Sequence, residues 1–241
     1  MSGLNKLFWD ADDNLRKPVR EVLLDVSEDV KSDISEMAGS DVIIKKVMFV
    51  GSLTGVNYDD ESDVDLHFLI DLGGLSEREK KLAGGYFNYY TRDFNHKDFE
   101  VYGHPLEIYI QDTMEGFVSP GVYDIEAGKW VEGPDKEKIE ITREERRTAE
   151  AFLRRVKDLK SEFDSDQLVD YEVFGDKARE LFNEIKEFRQ KGKESAKGFL
   201  KSSENIVFKM LRRNNALETL MKLLRDVRQK RFDVESDFKG E

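Results

Sequence analysis

The sequence predicts an α+β chain in two parts, a small mixed β-sheet with flanking helices over 1–140 and an all-helical region over 141–241. Three observations carry this reading. Short runs rich in β-branched residues recur up to about residue 132. Beyond Thr142 the apolar period changes from two to 3.6. At the changeover Thr142 and Glu145 form the Thr-x-x-Glu box that opens a helix. The domain boundary is therefore expected near 133–142.

The elements follow in order. Val19, Val22, Leu23, Val26, Val30 and Ile34 recur at helical spacing after Pro18, which predicts an amphipathic helix over about 18–37 ended by Gly39. VIIKKVMFV (42–50) and DVDLHFLI (63–70) read as strands separated by a loop rich in Gly, Ser, Asp and Asn. Ser76 and Glu79 form a second capping box, ahead of a helix reaching about residue 93. LEIYIQ (106–111) alternates Leu106, Ile108 and Ile110 with Glu107, Tyr109 and Gln111, as a third strand does. VYDI and KWVE flank Glu126-Ala127-Gly128 and predict a hairpin near 121–132.

Three helices are expected in the second part, each with one apolar stripe, packed as a bundle. Their stripes run from Ala149 to Leu159, from Phe174 to Phe188 and from Val207 to Val227, and the stretch 192–198 reads as a linker.

Composition narrows the chemistry. The chain has no cysteine, which excludes a thiolate zinc site, and its three histidines lack HExxH spacing, so a zinc hydrolase is not expected and any metal should be a hard ion held by oxygen. No stretch approaches the roughly 20 consecutive apolar residues of a membrane span, and the first residues lack a signal-peptide pattern. A cytoplasmic location without membrane contact is expected. The net charge of −12 argues against a general nucleic-acid coat. That average hides an asymmetry. Residues 1–142 carry 15 Lys and Arg against 30 Asp and Glu, and residues 143–241 carry 24 against 21. Within 191–231, 12 basic residues face 4 acidic ones, a candidate surface for a polyanion.

The informative segment is MFVGSLTGVNYDDESDVDLHFLI (48–70). A strand ends in Gly51-Ser52, a loop of about ten residues follows, and the next strand opens with Asp63-Val64-Asp65. Period-two alternation puts Asp63 and Asp65 on one face, and Glu107 is available from the third strand. Carboxylates this close repel unless a cation lies between them, and oxygen ligands of this kind suit Mg²⁺ or Mn²⁺. Three could support a two-metal site for displacement at phosphorus. Gly51 lets a phosphate approach the backbone, and the Ser52 hydroxyl adds a donor. GxxxxGK[ST] occurs nowhere, so a P-loop is excluded.

This order, an apolar strand, Gly-Ser, a loop, Asp-x-Asp and a later acidic residue on a third strand, resembles the nucleotidyltransferase superfamily. That superfamily includes DNA polymerase beta, poly(A) and CCA-adding polymerases and aminoglycoside nucleotidyltransferases. LEIYIQD followed by GVYDI and Trp130 also resembles predicted nucleotidyltransferases of tailed phages. The resemblance covers about 42–111 and implies that Gly51 and Ser52 hold a nucleoside triphosphate while Asp63, Asp65 and Glu107 ligate Mg²⁺ or Mn²⁺. Glu107 would also help deprotonate the acceptor hydroxyl. An RNA end, a small molecule, a protein or a second nucleotide would be the acceptor, and the site would lie between the two domains. Many members carry a basic residue soon after Gly-Ser, whereas LTGVNYDDES has none. The resemblance therefore assigns the triphosphate charge to Lys201, Lys209, Arg212 and Arg213. A non-catalytic NTP-binding or antitoxin-like module on the same fold is the alternative.

His67 continues the Asp63 and Asp65 face and reads either as a substrate contact or as a satisfied histidine. His104, ahead of Pro105, reads as a turn residue, and Tyr109, Tyr123 and Trp130 as base-stacking or core aromatics.

Overall fold

The computed structural model describes residues 3–38, 44–165, 170–195 and 198–237. The architecture is mixed α/β, and the chain divides into two compact units, Met1–Lys138 and Ile139–Glu241. Among the described residues no helix is long and apolar enough to cross a membrane.

The first unit is built on one six-stranded mixed sheet. Its strands are β1 (Ile44–Val50), β2 (Val64–Ile70), β3 (Glu100–Val101), β4 (His104–Asp112), β5 (Val122–Asp124) and β6 (Lys129–Glu132), in the order β3-β4-β2-β1-β5-β6. β1 and β2 are antiparallel, whereas β2 and β4 are parallel and are joined through helix α2 (Glu77–Asn95), since parallel neighbours need a crossover. Ser76 and Glu79 make the expected capping box on α2. Gly39 and residues 42–43 of the first expected strand lie outside the described residues.

Alternation sorts the strand residues. Val47, Phe49, Leu66, Phe68, Ile70, Leu106, Ile108 and Ile110 join the main core, with Val19, Leu23, Val30 and Ile34 of α1 (Lys17–Ala38) and Phe87, Tyr90 and Phe94 of α2. Val22, counted in the predicted stripe of α1, is exposed instead. The Tyr90 hydroxyl donates to Asp33 Oδ2 at 2.7 Å and ties the two helices together. Beyond the two residues of β3, β4 would have a bare edge. Asn95 fills it, accepting from Ile108 N at 2.9 Å and donating to Ile108 O at 3.2 Å.

Residues 4–16 precede every predicted element, yet Leu4, Phe8, Trp9 and Leu15 are buried in the main core. Trp9 stacks on Trp130 with centroids 4.5 Å apart and meets Tyr123 edge-on at 5.2 Å. Arg20 of α1 donates to the carbonyls of Ile125 and Glu126, both at 2.7 Å, and so holds the β5–β6 hairpin.

The second unit has four α-helices among its described residues, where three are expected: α3 (Arg143–Asp164), α4 (Tyr171–Lys191), α5 (Ser203–Arg213) and α6 (Ala216–Asp237). The helix expected over Val207–Val227 breaks at Asn214-Asn215. Asn215 has φ 53°, a left-handed conformation that asparagine tolerates, and the Asn214 amide donates to the Met210 carbonyl at 2.8 Å. The break lets Val207 and Leu211 of α5 and Leu220 of α6 enter one core with Ala149, Phe152, Val156, Leu181 and Ile185. Thr142 and Glu145 form the predicted capping box, and Glu145 also accepts from the Ser203 hydroxyl at 2.9 Å, joining the start of α3 to α5. The expected linker begins at a buried Gly192, whose Cβ would collide with Ser202 Oγ, so its first residue is packed.

Candidate functional site

The site face is the side of the sheet away from α1 and α2. β1 ends on this face at Val50, and Gly51 follows with φ 80°. A Cβ on Gly51 would overlap Asp65 Oδ2 and lie 2.7 Å from its Cγ, so only glycine lets the turn and that carboxylate coexist. Ser52–Thr54 form a single 3₁₀ turn, held on two sides. The Gly51 amide donates to Ser119 Oγ at 2.9 Å, and that hydroxyl donates to the Gly121 carbonyl at 2.6 Å. From below, the Trp9 indole donates to the buried Leu53 carbonyl at 2.8 Å.

The approach to Asp63 is equally fixed. Ser62 Oγ accepts from the Asp59 amide and donates to Asp59 Oδ1, each at 2.9 Å, closing a turn just before Asp63. His104 Nδ1 donates to the Ser62 carbonyl at 2.7 Å, and its buried ring packs on Phe8 at 5.3 Å. His104, expected in a turn, is thus the first residue of β4 and bolts the Asp59–Ser62 turn to the sheet. Asp59 of the acidic loop serves this turn.

Register then assembles the carboxylates. Asp65 sits opposite Glu107 across the parallel β2–β4 pair, and Asp63 precedes β2 by one residue. Ligand oxygens of Asp63, Asp65 and Glu107 all lie within 4.8 Å of one another. Oxygens at about 2.1 Å from one octahedral Mg²⁺ are at most about 4.2 Å apart, so small side-chain adjustments would close a shell. The donor set, three hard oxygens and no sulfur or nitrogen, fits Mg²⁺ or Mn²⁺. Asp63 is buried, Asp65 half-buried and Glu107 exposed, so the cluster opens on the Glu107 side.

One register step further, His67 faces Tyr109. His67 Nδ1 lies 2.6 Å from Gln111 Oε1, and the Gln111 amide nitrogen reaches the carbonyls of Glu115 and Gly116 at 3.1 and 3.4 Å. Burial holds the His67 pKa below the ordinary histidine value, against the opposing Gln111 hydrogen bond. Met48, Val50, Leu69 and Val122 form a small apolar cluster on this face, with Phe117 packed against it.

No family model, curated protein or solved structure matches the chain.

The sheet thus brings together Asp63, Asp65, Glu107 and Gly51, with Ser52 next along the chain. Lys201 closes a short 3₁₀ turn and Lys209 lies on α5, with Arg212 and Arg213 at its end, all in the second unit. Tyr123 is buried and Trp130 is stacked on Trp9, so both serve packing, whereas Tyr109 stays open. Ser119 and Phe117 come from an irregular loop with no periodic signal, and they and the anchoring role of Trp9 are not legible in the sequence pattern. The only hint of that role was a tryptophan ahead of the first helix.

Proposed function

We propose that the protein is a metal-dependent nucleotidyltransferase that moves a nucleotidyl group from a nucleoside triphosphate to an acceptor hydroxyl, releasing pyrophosphate. The observation that carries this reading is the convergence of the Asp63, Asp65 and Glu107 oxygens within 4.8 Å, beside a glycine turn that no other residue could make. The resemblance of residues 42–111 to nucleotidyltransferases supports it from the sequence side.

Asp63, Asp65 and Glu107 would hold Mg²⁺ or Mn²⁺, which when bound neutralises the phosphates and lowers the barrier to displacement at phosphorus. The residues themselves do the rest. The Gly51-Ser52 turn, braced by Ser119 and Trp9, seats the phosphates. The acceptor oxygen forms a bond to the α-phosphorus as the bond to the bridging oxygen breaks and pyrophosphate departs. Glu107, the exposed member, takes the hydroxyl proton. A cytoplasmic setting belongs to the same reading.

The test is incubation with each α-labelled nucleoside triphosphate, Mg²⁺ or Mn²⁺, and fractions of cellular RNA, protein and small metabolites. Label should move to an acceptor in one fraction with the wild type and not with Asp63→Asn/Asp65→Asn. Binding of triphosphate without transfer under either metal would instead support a non-catalytic binding module.

A further inference from the structure

The row behind the carboxylates has a chemistry of its own. In β2 and β4 the lateral pair Asp65 and Glu107 is followed on the same face by His67 and Tyr109. Two residues along a strand advance about 6.6 Å, roughly the reach of the ribose between an α-phosphate and its base. The His67 ring has Tyr109 at 5.2 Å and Phe117 at 6.1 Å, so aromatic surface lies on both sides of it. Tyr109 is 42% exposed, although its neighbours in β4, Ile108 and Ile110, are buried.

The hydrogen bonds fix which His67 nitrogen is offered to a ligand. Gln111 is 2% exposed, and its amide nitrogen is committed to the carbonyls of Glu115 and Gly116. Its oxygen must therefore face His67 Nδ1, which carries the hydrogen of the 2.6 Å bond. The other nitrogen, Nε2, is left as an acceptor. His67 is only partly buried, so its ring is within reach of a ligand on this face.

We propose that His67, Tyr109 and Phe117 form a subsite for an amino-bearing nucleobase such as adenine, whose ring lies against Tyr109 and whose amino group donates to His67 Nε2. This rests on the nucleotidyltransferase reading and narrows the class of base that reading leaves open. A base edge presenting a carbonyl would set two acceptors against each other, and an apolar edge would leave Nε2 without its partner. Gln111 is a positioning residue here, holding the tautomer from behind.

The test is equilibrium binding of ATP and of purine riboside triphosphate, which lacks only the amino group, to the full chain with Mg²⁺ at pH 8. The wild type should bind ATP about tenfold more tightly, the scale of one hydrogen bond. His67→Leu should bind both alike, at the weaker level. His67→Gln, which keeps an acceptor, should retain part of the preference, and Tyr109→Ala should weaken both ligands about tenfold through lost stacking. Thermal melting of each variant separates these effects from misfolding. Equal binding of the two ligands by the wild type, or a preference that survives in His67→Leu, overturns the subsite and leaves the transferase reading standing. Failure of the wild type to bind either triphosphate overturns the transferase reading and the subsite with it.

Discussion

The two faces of the β1, β2 and β4 sheet are made by alternate residues of the same strands, and they are built to opposite rules. Toward α1 and α2, β2 presents Val64, Leu66, Phe68 and Ile70, all essentially inaccessible. On the other side it presents Asp65, His67 and Leu69, opposite Glu107, Tyr109 and Gln111. One face gathers apolar area, which favours folding, while the other gathers three carboxylates, which opposes it. A protein has little folding reason to group acidic side chains on a half-buried face, so the polar face is best explained by what it binds.

The largest effect is expected of Asp63→Asn or Asp65→Asn. Turnover should fall about a hundred- to a thousandfold, the scale of one lost electrostatic contact to a transition state. In chelator each variant should melt higher than the wild type, because repulsion is relieved. A lower melting temperature in chelator would mean that the carboxylates serve the fold.

Phe68→Ala probes the opposite face and should cost about 3–5 kcal/mol in urea unfolding, while divalent-ion affinity of the folded protein stays unchanged. Gly51→Ala sits on the border between the two roles. Its positive φ alone should cost about 1–2 kcal/mol, and the displaced Asp65 should weaken ion binding by a larger factor than any stability loss explains. Calorimetry of ion binding beside thermal melting separates the two. Trp9→Phe removes the indole hydrogen bond to Leu53 and should cost about 1–2 kcal/mol of stability with a smaller loss of turnover.

Much of this was legible in the sequence because it is periodic. Alternation in 63–70 and 106–111 sorts the two faces, and the two Ser/Thr-x-x-Glu boxes mark the starts of α2 and α3 at the right residues. What was not legible depends on register or on irregular chain. Nothing local says that Asp65 pairs with Glu107 across a parallel neighbour, because that follows from the α2 crossover. His104 looked like a turn residue, since only the fold brings the Ser62 carbonyl to it. Tyr123 and Trp130 sit in strands where burial and display look alike until residues 4–16 fold over them. The break at Asn214-Asn215 was hidden because apolar residues continue on both sides, and one left-handed residue leaves no trace in such a pattern.

The most direct measurement is titration of Mn²⁺ into the wild type and into Asp63→Asn/Asp65→Asn, with and without a nucleoside triphosphate, following free Mn²⁺ by electron paramagnetic resonance. The wild type should bind Mn²⁺ saturably and more tightly with nucleotide, and the double variant should lose that binding. Equal binding by both proteins would contradict this, since the three carboxylates would then hold no ion and the polar face would need another explanation.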